Sequence, residues 1–295
     1  MFAQALSVQA ALGKAVTEVR LVKTPKGTVS GLFTTDEAGA EALVTELTEL
    51  NLLETATCYS TINKISDTYI DRYKLVYGLN KLIPYSTKTV KDDDISTLSL
   101  IMFDLDVKSK PANSSSTDDE KAAAKARLDG ILKHLGDEGF PEPYYVTDSG
   151  NGYNFYYHIK FPNDTDHKIL IKRFNNVIAG KFSDDVIDVD RVIVNPSRVA
   201  KLPGTMSVKG ENTPERPHRQ SCIITTNSDQ PPLTEAQIQA YIDKYSQQED
   251  TPKAVAAHIG TKKQSKKRRI IDVASYLDHY SISYKVYTRD LFRRD

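Results

Sequence analysis

The chain has 295 residues, 26% of them charged and 39% hydrophobic, and its 39 Lys and Arg balance 39 Asp and Glu. That balance excludes a protein held to nucleic acid or membrane by a global positive field, so any polyanion site must rest on a local patch. Only Cys58 and Cys222 are present, which argues against a disulfide framework or a zinc centre and for a reducing, cytoplasmic setting, and no run approaches the ~18 apolar residues of a membrane span.

The N-terminal stretch MFAQALSVQAALGK lacks a basic leader and a long apolar core, and reads as a short amphipathic segment. Apolar residues at helical spacing from Ala38 to Leu53, followed by the β-rich TATCYSTIN, predict a helix feeding a strand. LSLIMFDLDV predicts a buried central strand. The polar loop KSKPANSSSTDDE then closes on Thr117, with Glu120 three residues later, a capping box that predicts a helix from about Asp118 to Leu135 stopped by Gly136. Two aromatic, β-branched runs, Tyr144 to Val146 and Tyr153 to Phe161, flank SGNG and predict a hairpin. Asp164 or Thr165 opens an amphipathic helix ending near Gly180, VIDVDRVIVN returns to strand character, and Thr234 with Gln237 caps a last helix to about Tyr245.

The chemistry starts from the Asp-Leu-Asp that ends the apolar strand. Residues two apart on a strand share a face, so Asp104 and Asp106 point the same way, roughly 6.6 Å apart along the strand. Paired hard oxygen ligands suit Mg²⁺ or Mn²⁺, which use a few carboxylates plus waters and substrate phosphates. VIDVDRVIVN offers Asp188 and Asp190 as a third carboxylate, and Asp190 is the choice because its stretch continues into the basic segment. The turn DSGNGYN, with Ser149, Gly150 and Gly152, supplies backbone N–H groups free of side-chain obstruction, the kind of concavity that cradles phosphates. Beyond it Asn154, Tyr156 and His158 share one strand face, opposite Tyr153, Phe155 and Tyr157. NPSRVAKLPGTMSVKGENTPERPHR gathers Arg198, Lys201, Lys209, Arg216, His218 and Arg219 on an irregular backbone suited to holding a triphosphate.

In this order the pieces resemble the archaeo-eukaryotic primase superfamily, in its primase-polymerases of plasmids, phages and other mobile elements. The matching blocks are LIMFDLD, SGNGYN, VDRVIVNPSR, KLPGT, KG and RPHR, spread over roughly Gly31 to Cys222. One position departs: Asn154 stands where the family usually has a histidine that contacts the incoming nucleotide's phosphates, and His158 lies about 13 Å further along an extended strand. The resemblance implies an α+β fold, with an N-terminal mixed αβ module packed on an RRM-like sheet and the active site in the cleft between. It implies a DNA primase-polymerase in which Asp104, Asp106 and Asp190 hold two Mg²⁺ or Mn²⁺ ions. Ser149, Gly150, Gly152, Asn154, Arg198, Lys209 and Arg219 would bind the (d)NTP. The implied partners are single-stranded DNA template, primer and a helicase domain or partner; the alternative is a catalytically weakened module that binds nucleotide or nucleic acid for a helicase or nuclease. The organisation that follows is 1–98 and 99–230 as two parts of the core, 231–246 as a C-terminal helix, 247–269 as a polar basic linker containing KKQSKKRR, and 270–295 as the start of a further, truncated element.

Overall fold

The computed structural model describes residues 2–191 and 194–246. The linker expected over 247–269 and the element expected over 270–295 lie outside the described residues. From the N-terminus, α1 (Ala3–Ala11) precedes the hairpin of β1 (Val16–Thr24) and β2 (Gly27–Thr34), and α2 (Glu37–Glu49) leads to β3 (Cys58–Thr61). The short β4 (Lys64–Ile65) and α3 (Asp67–Tyr77) precede the thirteen-residue β5 (Ile95–Val107), which carries the Asp-Leu-Asp. After α4 (Asp118–Asp137) come the hairpin of β6 (Tyr145–Asp148) and β7 (Tyr153–Pro162), then α5 (Thr165–Phe182) and β8 (Ile187–Val189). The short strands β9 (Val199–Lys201), β10 (Met206–Ser207), β11 (Arg219–Gln220) and β12 (Cys222–Thr226) precede α6 (Glu235–Ser246).

Side chains chosen for their reach to backbone donors start these helices. Asp36, Ser66 and Asp164 accept from Gly39, Tyr69 and His167 N–H at the starts of α2, α3 and α5. Thr117 and Glu120 form the predicted capping box on α4, and Thr234 and Gln237 cap α6 reciprocally. Two boundaries differ from the sequence reading. Helix α4 runs through Gly136 to Asp137, and the chain turns out of it at Gly139, whose φ of +82° glycine accepts without strain. The strand expected over VIDVDRVIVN is confined to Ile187–Val189 among the described residues, so Asp190 lies just past its end rather than on a continuing strand face.

Among the described residues, two larger sheets and the small antiparallel pair β10-β11 form, mixed with helices in an α+β arrangement. Four antiparallel strands in the order β2-β1-β3-β9 make the first, and β12-β6-β7-β5-β4, with β8 paired to β5, make the second. The last strand of the first sheet comes from residues 199–201, more than a hundred residues after its neighbour β3. Phe103, Phe155, Phe174, Phe140 and Tyr241 fill the layer between the second sheet and α4, α5 and α6, with Phe103 and Phe155 stacked at 4.6 Å. Leu6, Leu21, Phe33, Leu43 and Leu47 fill a smaller core formed by α1 and α2 with the first sheet. Where the sheets approach, Ile62, Leu100, Met102, Tyr156 and Ala200 pack together. Asn63 ties them further: its Oδ1 accepts from Ser99 N–H at 2.8 Å on β5, and its Nδ2 donates to Pro196 O at 2.9 Å ahead of β9.

Candidate active site

Alternation along β5 sends Phe103 and Leu105 into the core and leaves Asp104 half-buried and Asp106 exposed on the other face. That face is the floor of a cleft of about 530 Å³, within the range of ligand pockets, walled by Arg20, Tyr59, Lys201 and Lys209 among others. Register explains part of the wall. Tyr59 pairs with Arg20 on one side and Lys201 on the other, so an aromatic ring lies between two cations in one row across β1, β3 and β9.

The two carboxylates are short of countercharge. Burial, and then the neighbouring charge of Asp106, push the Asp104 carboxyl up to about 7, while an amide hydrogen bond from Asn154 pulls the other way. Lys201 answers them from β9. Its ammonium is drawn down to about 8 by burial and raised by Asp104 and Asp106, and it donates to Ser149 O and Ser207 Oγ, both at 2.6 Å. Ser207 Oγ also accepts from Asn151 Nδ2 at 2.8 Å, and Asn151 Oδ1 accepts from Ser116 N–H at 3.0 Å, which fastens the hairpin turn and Lys201 to the start of α4.

The predicted residues fall into two groups. Asp104, Asp106, Ser149, Asn154, Arg198 and Lys209 line the cleft. Asp190 donates its N–H to Asp104 O at 3.0 Å, and its carboxylate meets Arg198 Nη2 at 3.3 Å. The turn differs from the sequence reading, because its N–H groups are spent internally: Ser149 N–H on Gly152 O, Gly150 N–H on Asp148 Oδ1, and the N–H groups of Asn151 and Gly152 on Ser149 Oγ. Its glycines serve close packing. A Cβ on Gly152 would stand 2.1 Å from Leu105 O, and one on Gly150, whose φ is +85°, would stand 2.7 Å from Ser207 Cβ. Arg219 is turned away from the cleft, donating to Ser116 O at 2.7 Å and Asp118 at 2.6 Å, and Arg216 forks onto Glu120. The basic block therefore spends two arginines on the start of α4.

In the sequence Lys201 stands out only as one cation of its block, and Asn151 and Ser207 carry no signal of their own. Only pairing between β3 and β9 brings Lys201 to the aspartates. The donor set suits a hard divalent cation, since Mg²⁺ needs one or two protein carboxylates and takes its other oxygens from water and phosphate. Among the described residues no three His, Cys, Asp or Glu side chains are grouped to hold a metal ion, with Asp190 engaged by Arg198. The protein half of such a site is thus the pair Asp104 and Asp106.

No protein-family model matches the chain, and no curated protein is similar to it. Solved structures are. The chain is similar to primase and polymerase domains of known structure. The crystal structure of primase RepB′ aligns with a TM-score of 0.42 and 12% identity over 84% of this chain and 65% of that one, so the chain spans just under two thirds of its length. The catalytic domain of primase RepB′ in complex with initiator DNA aligns with a TM-score of 0.43 and 11% identity, over 85% of this chain and 98% of the other. The polymerase domain from Mycobacterium tuberculosis Ligase D in complex with DNA gives a TM-score of 0.38 and 12% identity, covering 82% and 88%.

Proposed function

We propose that the cleft carries out template-directed, metal-dependent nucleotidyl transfer from nucleoside triphosphates to the 3′-hydroxyl of a nucleic-acid strand, as a primase-polymerase does. The observation that carries the reading is the pair Asp104 and Asp106 on one strand face at the cleft floor, in the field of Lys201 and with Lys209 and Arg198 on the same wall. Acidic residues beside a cationic wall are what a reaction needs when a polyanionic substrate and divalent ions must be held together. The motif resemblance supports the same roles for these aspartates.

In this reading Asp104 and Asp106 would hold the divalent ion, and Asp190, paired with Arg198, would be the third carboxylate of the site. Bound Mg²⁺ or Mn²⁺ neutralises the triphosphate and favours the ionised hydroxyl. Arg198 and Lys209 hold phosphate oxygens as the 3′-oxygen bonds to the α-phosphorus, pyrophosphate leaves and the hydroxyl proton passes to solvent. Ser149, Gly150 and Gly152 act by positioning, since Ser149 O anchors Lys201. The setting is cytoplasmic, with Cys58 and Cys222 both free thiols. A helicase partner and a role in replicating a mobile element rest on the motif resemblance.

The test is a single-stranded template with labelled dNTPs or NTPs and Mg²⁺ or Mn²⁺, with and without primer, comparing wild type with Asp104→Ala. Metal-dependent product that vanishes in the variant is expected, and the unprimed lane reads de novo initiation. Wild-type protein that binds nucleic acid yet makes no product would overturn the catalytic reading and leave a binding module.

A further inference from the structure

The cleft has a second cationic end, and an irregularity of the backbone puts it there. Along β1 the alternation is clear: Val19 and Leu21 are fully buried in the α1–α2 core, while Arg20 and Val22 line the cleft. Lys23 should follow Leu21 toward the core. Instead the β1–β2 register shifts between Leu21 and Thr24, Lys23 takes a φ of +57°, and its exposed side chain lines the cleft beside Val22. Bulges re-aim side chains, and a left-handed non-glycine residue stores backbone strain that the surrounding structure must sustain.

The cations of the cleft differ in what they already hold. Arg20 is locked onto buried Glu18 by two hydrogen bonds of 3.0 and 2.6 Å, and Glu18 is further satisfied by Ser30 and by the Val90 N–H. Arg198 holds Asp190, and Lys201 holds Ser149 and Ser207. The ammonium of Lys23 has no hydrogen bond, ion pair or ring contact among the described residues. It stands on β1 three residues beyond Arg20, which shares one row across the sheet with Tyr59 and Lys201, and all four line the cleft.

We infer that Lys23, presented by the bulge beside the fixed guanidinium of Arg20, is a backbone-phosphate contact for a nucleic-acid strand running along the β1 wall of the cleft. The inference rests on the function proposed above and goes beyond it by assigning the surface that holds the strand. A free, flexible point charge suits a phosphodiester oxygen, for which position along the strand matters more than fixed geometry. A nucleotide's own phosphates are the other source of the same chemistry, and the experiment separates the two.

The experiment measures binding of a labelled single-stranded oligonucleotide to the full chain over a salt series, without metal or triphosphate, for wild type, Lys23→Gln and Lys23→Gly. Unlabelled ATP is titrated separately. Glycine accepts φ > 0 freely, so Lys23→Gly removes the charge while relieving strain and should fold at least as well. Both variants should bind the oligonucleotide about 2- to 5-fold more weakly and lose about 0.7 from the slope of log K against log salt, one phosphate contact on a single strand, with ATP binding unchanged. Oligonucleotide binding and slope equal to wild type would overturn the assignment, as would a loss confined to ATP. Nucleotide incorporation by wild type is scored in parallel: intact incorporation with unchanged slopes sinks this inference alone, whereas absent incorporation with reduced slopes sinks the proposed reaction and upholds the strand contact.

Discussion

Asn154 donates its side-chain amide to Asp104 Oδ1 at 2.6 Å, across a directly opposed pair of residues on β7 and β5. By its motif position Asn154 is expected to face phosphates; in the structure its donor goes to the carboxylate at the cleft floor. It holds Asp104 in place and favours the charged form that burial opposes. Asn154→Ala is expected to lower nucleotide incorporation about 10- to 100-fold, the usual effect of removing a group that orients a metal ligand. Steady-state incorporation with unchanged circular dichroism checks it, and wild-type rates would assign Asn154 no positioning role.

Asp104→Asn removes a carboxylate that burial and Asp106 both disfavour. If the proposed reaction is right, incorporation should fall below about a hundredth of wild type with either Mg²⁺ or Mn²⁺, because that reaction needs the Asp104 anion to hold the ion. The melting temperature should stay level or rise. An unfolded variant would show that Asp104 is a structural member of β5.

Lys201→Met deletes the donor to Ser149 O and Ser207 Oγ. Ser207 Oγ keeps its bond from Asn151, so the loss falls on Ser149 O, about 1–3 kcal/mol at most for an acceptor left unpaired, and the hairpin turn loses its anchor on β9. Denaturant unfolding should report a loss in this range, and incorporation should fall with it. Stability equal to wild type would mean that water replaces the ammonium.

Gly152→Ala should destabilise the protein by about 1–3 kcal/mol, since its Cβ would stand 2.1 Å from Leu105 O and the β5–β7 pairing must spread to admit it. The phosphate-cradle reading predicts a different outcome, weakened nucleotide binding in a protein of normal stability. Unfolding curves and nucleotide titration on the same variant tell the two apart.

Lys14 is fully buried, with its ammonium on Gln9 Oε1 at 2.8 Å and Thr61 O at 2.5 Å, and burial lowers its pKa from 10.5 to about 7. Between those values the unfolded chain binds the proton and the folded one does not, so this group makes stability rise with pH from about 7 to about 10.5. Below about 7 both states are protonated and its contribution is constant. Denaturation midpoints at pH 7 and pH 9.5 should therefore separate wild type from Lys14→Met: the wild-type change, less that of the variant, is positive. A difference of zero would mean the lysine is charged in the fold throughout.

What could be read from sequence was local. Thr117 with Glu120 and Thr234 with Gln237 announce helix starts because a cap is made within four residues, and Asp104 and Asp106 announce a shared face because the strand period is two. The site's remaining parts depend on distant pairing. Lys201 reaches the aspartates through β3, and Arg219 and Arg216 leave the phosphate wall because Asp118 and Glu120 at the start of α4 claim them. The glycine turn misled for a subtler reason: glycines mark both open concavities and tight contacts, and here the hydroxyl of Ser149 and the carboxylate of Asp148 consume the donors.

The fourth strand of the first sheet fixes an order of events during synthesis. β3 leaves the ribosome roughly 140 residues before its partner β9, which at about 5–20 residues per second is a wait of about 7–28 s. Through that interval the β3 edge has no neighbour and Tyr59 has no Lys201 beside it. The nascent chain therefore carries an open strand edge until most of the protein has emerged, and the cleft is among the last features to be assembled.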